Sequence, residues 1–167
     1  MLTVKDKLGF NFDYFDAVQP NEITDEIEQK YFSNTDFYEW DINQKAVMAT
    51  FMSHMNLLNY ACKNKINLLI IEDDIDYVGN LDFDNINFDS FDIFNVGTTF
   101  GCYSYFVSSQ GACKILNEID SKQITQAYDW ELNKLTGVKK QISETPHFIQ
   151  VENKFKSNIS PDGYKRY

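Results

Sequence analysis

Apolar residues along this chain fall alternately into strand and helix periods. Between residues 10 and 18, Phe10, Phe12 and Tyr14 alternate with polar neighbours before Phe15 and Val18, which predicts a short strand ended by Pro20 and Asn21. Ile23, Ile27 and Tyr31 then recur at helical spacing among Glu22, Asp25, Glu26 and Glu28, predicting a short amphipathic helix with a solvated acidic face. Residues 43–59 contain neither Gly nor Pro. Val47, Phe51, Met55 and Leu58 follow the helical period there, and Ala46, Met48, Met52 and Leu57 widen the apolar arc, so this helix should be largely buried. Residues 66–71 are almost continuously aliphatic, the pattern of a strand covered on both faces, and they stop abruptly at Glu72-Asp73-Asp74. Helix, short loop, buried strand and then carboxylates predict an α/β fold.

Residues 76–89 are rich in Asp, Asn and Gly and read as an irregular loop. Two further strands are expected at 92–96 and 102–107, separated by a turn over 97–101. Ser108 or Ser109 can cap a helix that turns Ala112, Ile115, Leu116 and Ile119 inward. Another helix is predicted over 124–135, closed by Gly137, then a late strand over 147–151 and a polar, loose tail from Ser157. No repeat, low-complexity segment or linker divides the chain, so residues 1–167 are expected to form one domain.

Composition supports a packed core, since 43% of the residues are hydrophobic and there are 14 Phe and 10 Tyr. A formal net charge of −10, from 25 acidic against 15 basic side chains, disfavours nucleic acid as a broad electrostatic partner. A local basic groove can still arise from Lys139, Lys140, Lys154, Lys156, Lys165 and Arg166. The cysteines Cys62, Cys102 and Cys113 are odd in number and widely spaced, so they are expected to be reduced, mostly buried thiols. The N-terminal residues are polar and no window approaches ~18 apolar residues, which predicts no membrane span and a cytoplasmic location.

Carboxylates at the end of a buried strand lie where open α/β sheets place ligands. Three adjacent acids also repel one another, and a hard divalent cation relieves that repulsion while keeping positions open for a diphosphate. On charge pattern alone, a solvated acidic turn with Asp73 or Asp74 capping local amides accounts for the run equally simply. A calcium loop beginning at Asp74 is a poor match, because Val78 stands where an oxygen ligand is required and Asn85 where the bidentate Glu belongs.

The segment with Ser53-His54 in a helix and Leu68-Leu69-Ile70-Ile71-Glu72-Asp73-Asp74-Ile75 after it resembles glycosyltransferase family 25, the group of lipooligosaccharide-biosynthesis and collagen-galactosyltransferase proteins. Leu8-Gly9 through Phe15-Asp16-Ala17-Val18 is similar to that family's early segment, and Tyr105-Phe106-Val107-Ser108 with Gly111-Ala112 to its later one. Asp129-Trp130 and the stretch 146–160 resemble its closing motifs. The order of these motifs, more than any single one, carries the resemblance over residues 8–160.

The resemblance implies a GT-A-like fold with a mixed, mostly parallel sheet flanked by helices. It also implies a nucleotide-diphosphate hexose donor, usually uridine-linked, and a glycan or other hydroxyl acceptor. Inverting, metal-dependent transfer would use manganese, or magnesium, held by Asp74 with Asp73 as helper. Glu72, Ser53 and His54 would face the donor, and Asp129 would act as general base. On residue type alone, Asp129 could equally be an exposed helical acid, Trp130 and His54 could be core residues, and Tyr105 and Ser108 could serve the sheet edge and helix cap; His147 receives no role. The family's usual first strand and its Arg are not found before Leu8-Gly9. Residues 66–71 or a neighbouring strand should therefore have an open edge, which self-association into a homo-oligomer, the C-terminal tail folding back or a partner chain would cover. The rival readings are a shortened, non-catalytic metal- or carbohydrate-binding relative and a glycosyltransferase acting on modified DNA bases.

Overall fold

The computed structural model of the chain describes residues 7–9, 12–33, 43–79, 81–97 and 102–151. Its helices are α1 (Asp25–Tyr31), α2 (Gln44–Asn64), α3 (Ser109–Asp120) and α4 (Tyr128–Lys134). Its strands are β1 (Leu68–Ile71), β2 (Ile75–Tyr77), β3 (Ile93–Asn95), β4 (Ser104–Val107), β5 (Lys140–Ile142) and β6 (Phe148–Gln150). The long helix starts where the Asn43 side chain accepts from Ala46 N and ends at Lys65, whose left-handed φ of 55° turns the chain into β1. Phe51 and Leu58, on its inner face, are completely buried.

Four strands form a mixed sheet in the order β1-β4-β3-β5, while β2 and β6 form a separate antiparallel pair. The β1/β4 and β3/β4 pairings are antiparallel, and β3/β5 is parallel. The expectation of a mixed α/β fold holds, but among the described residues the sheet is mostly antiparallel. The mostly parallel sheet was expected from the family resemblance alone, since the aliphatic run of β1 reflects cover on both faces and not strand direction. Ile70, Tyr105 and Val107 turn into a core shared with α2, α3 and α4. Ile71 and Phe106 alternate to the other side, where Phe91, Val96, Tyr103 and Phe148 form a second core. Among the described residues, β1 pairs only with β4.

Several boundaries differ from the pattern-based reading. Residues 12–19 form no strand: Tyr14 is 87% exposed, and the amide of Val18 bonds the Ser53 hydroxyl instead of another strand. Positions 10, 11 and 98–101 and the tail from Ser157 lie outside the described residues. The helix expected over 124–135 begins at Tyr128, because the amides of Ile124 and Thr125 are drawn to the Tyr31 carbonyl and the Glu131 carboxylate. Within 76–89 the structure forms β2 and two short 3₁₀ turns, Phe83–Asn85 and Phe88–Ser90. The exposed, largely polar β5 carries no apolar period and was missed.

Ser108 caps α3 by accepting from Gly111 N. Gly111 also packs directly on the Asp92 carbonyl, so any side chain there would collide with the start of β3. The Asp92 carboxylate accepts from Lys114 Nζ at 2.8 Å and Lys139 N at 2.7 Å, tying α3, β3 and β5 together.

The cysteines require a correction. Cys62 on α2 and Cys113 on α3 form a disulfide, and Cys102 is the free thiol. The packed helices bring the two Cα atoms to 5.0 Å, within bridging range, although 51 positions separate them in sequence. Counting cysteines could not reveal a pairing made by helix packing. Loop closure of this length is worth roughly 2–4 kcal/mol in a disulfide. Cys62→Ser/Cys113→Ser should lower the urea midpoint and steepen the slope, because the unfolded chain is freed to expand. Equal stability of the variant and the non-reduced parent, with both parent thiols open to alkylation, would rule the bridge out.

Candidate active site

The acidic run leaves β1 and turns into β2, so its backbone is fixed at both ends. Glu72 N donates to Tyr103 O at 2.8 Å, extending the β1/β4 ladder, and Val151 N donates to Asp74 O at 2.9 Å beside the β2/β6 pair. The three carboxylates consequently have different surroundings. Asp73 is exposed. Asp74 accepts from Gln150 Nε2 at 2.6 Å through Oδ2, while its Oδ1 is buried with no hydrogen-bond partner. Burial raises the Asp74 carboxyl above its ordinary value; the Gln150 bond opposes this, and the charges of Glu72 and Asp73 add to it.

Glu72 meets α2. His54, almost completely buried, places Nε2 3.2 Å from Glu72 Oε1 and Nδ1 2.9 Å from the Tyr105 hydroxyl. Tyr105 Oη lies 3.0 Å from Tyr128 Oη, and the His54 ring stacks on Tyr128 with centroids 4.2 Å apart and planes 9° from parallel. Burial holds both phenols well above their ordinary pKa values, so both keep their protons. Tyr105 therefore belongs to the interior strand β4, not to a sheet edge, and its hydroxyl serves the site.

Asp129 follows Tyr128 at the start of α4, and its Oδ1 accepts from Trp130 N at 2.9 Å. Burial is the main cause of its raised carboxyl pKa; the bond from Trp130 N opposes the shift, the Glu72 charge adds to it, and His54 opposes it. Asp129 and Glu72 thus share one electrostatic environment although they stand 57 positions apart in sequence. The Cys102 thiol lies there too, raised far above its usual value by burial and then by Asp129 and Glu72. Trp130 is 52% exposed and is not a core residue.

Ser53 stands apart from this group. Its hydroxyl accepts from Val18 N at 2.9 Å and donates to Ala49 O at 2.8 Å, so it pins the segment before Pro20 onto α2. His147 packs on Gly79 through its ring, with Nδ1 buried and unpartnered. Sequence reasoning missed Tyr128 and Gln150. Tyr128 could have been found only as the neighbour of Asp129, and Gln150 only as a member of the 146–160 stretch that resembles the family's closing motif.

Among the described residues no three His, Cys, Asp or Glu side chains are grouped so as to hold a metal ion. A cation that arrives with a diphosphate needs fewer protein ligands, because one or two carboxylates suffice when phosphate oxygens and water complete the shell. The buried, partnerless Asp74 Oδ1 is a donor atom of that kind.

The sequence profile of glycosyltransferase family 25 (LPS biosynthesis protein) matches residues 1–85, just over half of the 167 positions. The chain belongs to glycosyltransferase family 25. The matched half of this family 25 chain contains α2 with Ser53 and His54, strand β1 and all three carboxylates, whereas Tyr105, Tyr128 and Asp129 lie beyond it. No curated protein matches the chain. No helix among the described residues is long and apolar enough to cross a membrane.

Proposed function

We propose that this family 25 chain transfers a hexose, with inversion, from a nucleotide-diphosphate sugar to a hydroxyl of a glycan or similar acceptor. The observation that carries the reading is the hydrogen-bonded chain Glu72–His54–Tyr105–Tyr128, which brings the end of β1 to the start of α4, where Asp129 follows Tyr128. Two carboxylates from different elements can serve opposite sides of one transfer. Asp129, its carboxyl raised by burial, is a stronger base than an ordinary aspartate and accepts the acceptor hydroxyl's proton as that oxygen bonds the anomeric carbon. The bond from the anomeric carbon to the diphosphate breaks on the opposite face, which inverts the centre. Glu72, with one oxygen held by His54, orients donor hydroxyls through its exposed side. Asp74, with Asp73 beside it, would hold manganese or magnesium, which when bound neutralises charge on the departing diphosphate. The half-exposed Trp130 offers an aromatic face for an acceptor sugar next to the base.

The test is hydrolysis and transfer across a panel of uridine, guanosine and cytidine diphosphate sugars, with and without manganese. Metal-stimulated release of a nucleoside diphosphate from one donor is the expected result. Binding of a nucleotide sugar without turnover against any acceptor would favour a non-catalytic relative, and no binding at all would defeat the reading.

A further inference from the structure

We infer that Tyr105 and Tyr128 are positioning residues that act through His54 to fix the Glu72 carboxylate. The inference rests on the transfer reading for its effect on the reaction, but the hydrogen-bond chain itself is independent of it. Four side chains from four elements are joined: Tyr128 on α4, Tyr105 on β4, His54 on α2 and Glu72 after β1. Among the described residues His54 is the only side-chain hydrogen-bond partner of Glu72.

The chemistry of the groups fixes the direction of this chain. An ionised carboxylate only accepts, so the bond to Glu72 requires the proton of His54 on Nε2. In a neutral ring Nδ1 is then the acceptor, and Tyr105 gives it its single hydroxyl proton. Tyr105, its proton used, can only accept from Tyr128. The order is therefore Tyr128 to Tyr105 to His54 to Glu72, with every proton assigned.

Packing supports the same assignment. The His54 ring is sandwiched against Tyr128 at 4.2 Å and lies 5.8 Å from the Tyr105 ring, so it is held against rotation. Without the Tyr105 hydroxyl, the buried Nδ1 loses its partner, and the tautomer with the proton on Nδ1 becomes competitive. That tautomer turns the Nε2 lone pair toward the Glu72 carboxylate and repels it. The Tyr105 hydroxyl, two hydrogen bonds from Glu72, thereby controls the carboxylate that the transfer reading turns toward the donor. The tyrosine that completes the chain is the immediate neighbour of Asp129, so the same contacts set the position of α4 against the acidic turn.

The test uses the full chain and ¹⁵N-detected histidine spectra of Tyr105→Phe, Tyr128→Phe, His54→Gln and His54→Phe, with donor kinetics on each. In the parent, His54 should be neutral with its proton on Nε2. Tyr105→Phe should convert it to a mixture of tautomers and raise the donor KM roughly five- to tenfold, with kcat changed less. Tyr128→Phe should do the same more weakly, by about twofold. His54→Gln keeps an N–H donor near the Nε2 position and should restore most donor affinity, whereas His54→Phe keeps the ring packing and should not. A doubly protonated His54, a proton on Nδ1 in the parent, or an unchanged tautomer in Tyr105→Phe would overturn the directional chain. A shifted tautomer with unchanged KM would overturn the positioning role. If the tautomer responds as expected while the parent turns over no nucleotide sugar, the chain stands as a structural device and the transfer reading falls instead.

Discussion

Asp129→Asn is expected to lower turnover by about 100-fold or more while donor affinity changes little. Asparagine keeps the size and the oxygen that accepts from Trp130 N, so the start of α4 is retained and only basicity is lost. The pH profile gives an independent check. A base must be ionised to work, and burial raises the Asp129 carboxyl, so the acid limb of kcat/KM should fall above the ordinary aspartate range. The effect on stability has the opposite sign to the effect on activity. A carboxyl raised by folding contributes stability that is fully present below its unfolded value and is lost as pH rises through the raised one. At neutral pH the ionised Asp129 is thus carried at a cost, and the asparagine variant should melt at the same or a higher temperature. Turnover equal to the parent's would remove Asp129 from the reaction.

Asp74→Ala should abolish manganese-dependent binding of the nucleotide donor and leave the fold intact. Its Oδ1 is buried without a partner, and burial raises the carboxyl, so the side chain stabilises the turn little. Its backbone carbonyl, which accepts from Val151 N, is unaffected by the substitution. Loss of the Gln150 contact, between exposed groups, should change stability by no more than about 0.5 kcal/mol. Calorimetry with manganese and uridine diphosphate, separately and together, measures this directly. Binding equal to the parent's in both titrations would place the metal, or the diphosphate, elsewhere.

Much of the local structure was legible before any coordinates, for identifiable reasons. The long helix, the strand ending in carboxylates and the Ser108-capped helix each combine an apolar period with an end signal, and they fold as the pattern predicts. Short elements were not legible. β5 holds three residues with no period, and the start of α4 is set by distant acceptors, Tyr31 O and Glu131, that no window of sequence contains. Residues 12–19 have the alternation of a strand yet form none, because their backbone bonds a serine hydroxyl on α2. Alternation predicts which side chains could share a face, not whether a partner strand exists.

The site divides along the same line. Sequence by itself determined that three carboxylates follow a buried strand, that His54 sits near the apolar face of a helix, and that Asp129 lies in a later one, since each follows from order along the chain. Tertiary structure decided what those residues are to one another. Packing of α2 against β4 and α4 put His54 between Glu72 and two tyrosines. Packing of α2 on α3 joined Cys62 to Cys113, and packing around Asp74 left one of its oxygens buried and unpaired. Hydrogen-bond partners, burial and pKa depend on distance through space, and the chain specifies those distances only once its two cores have formed.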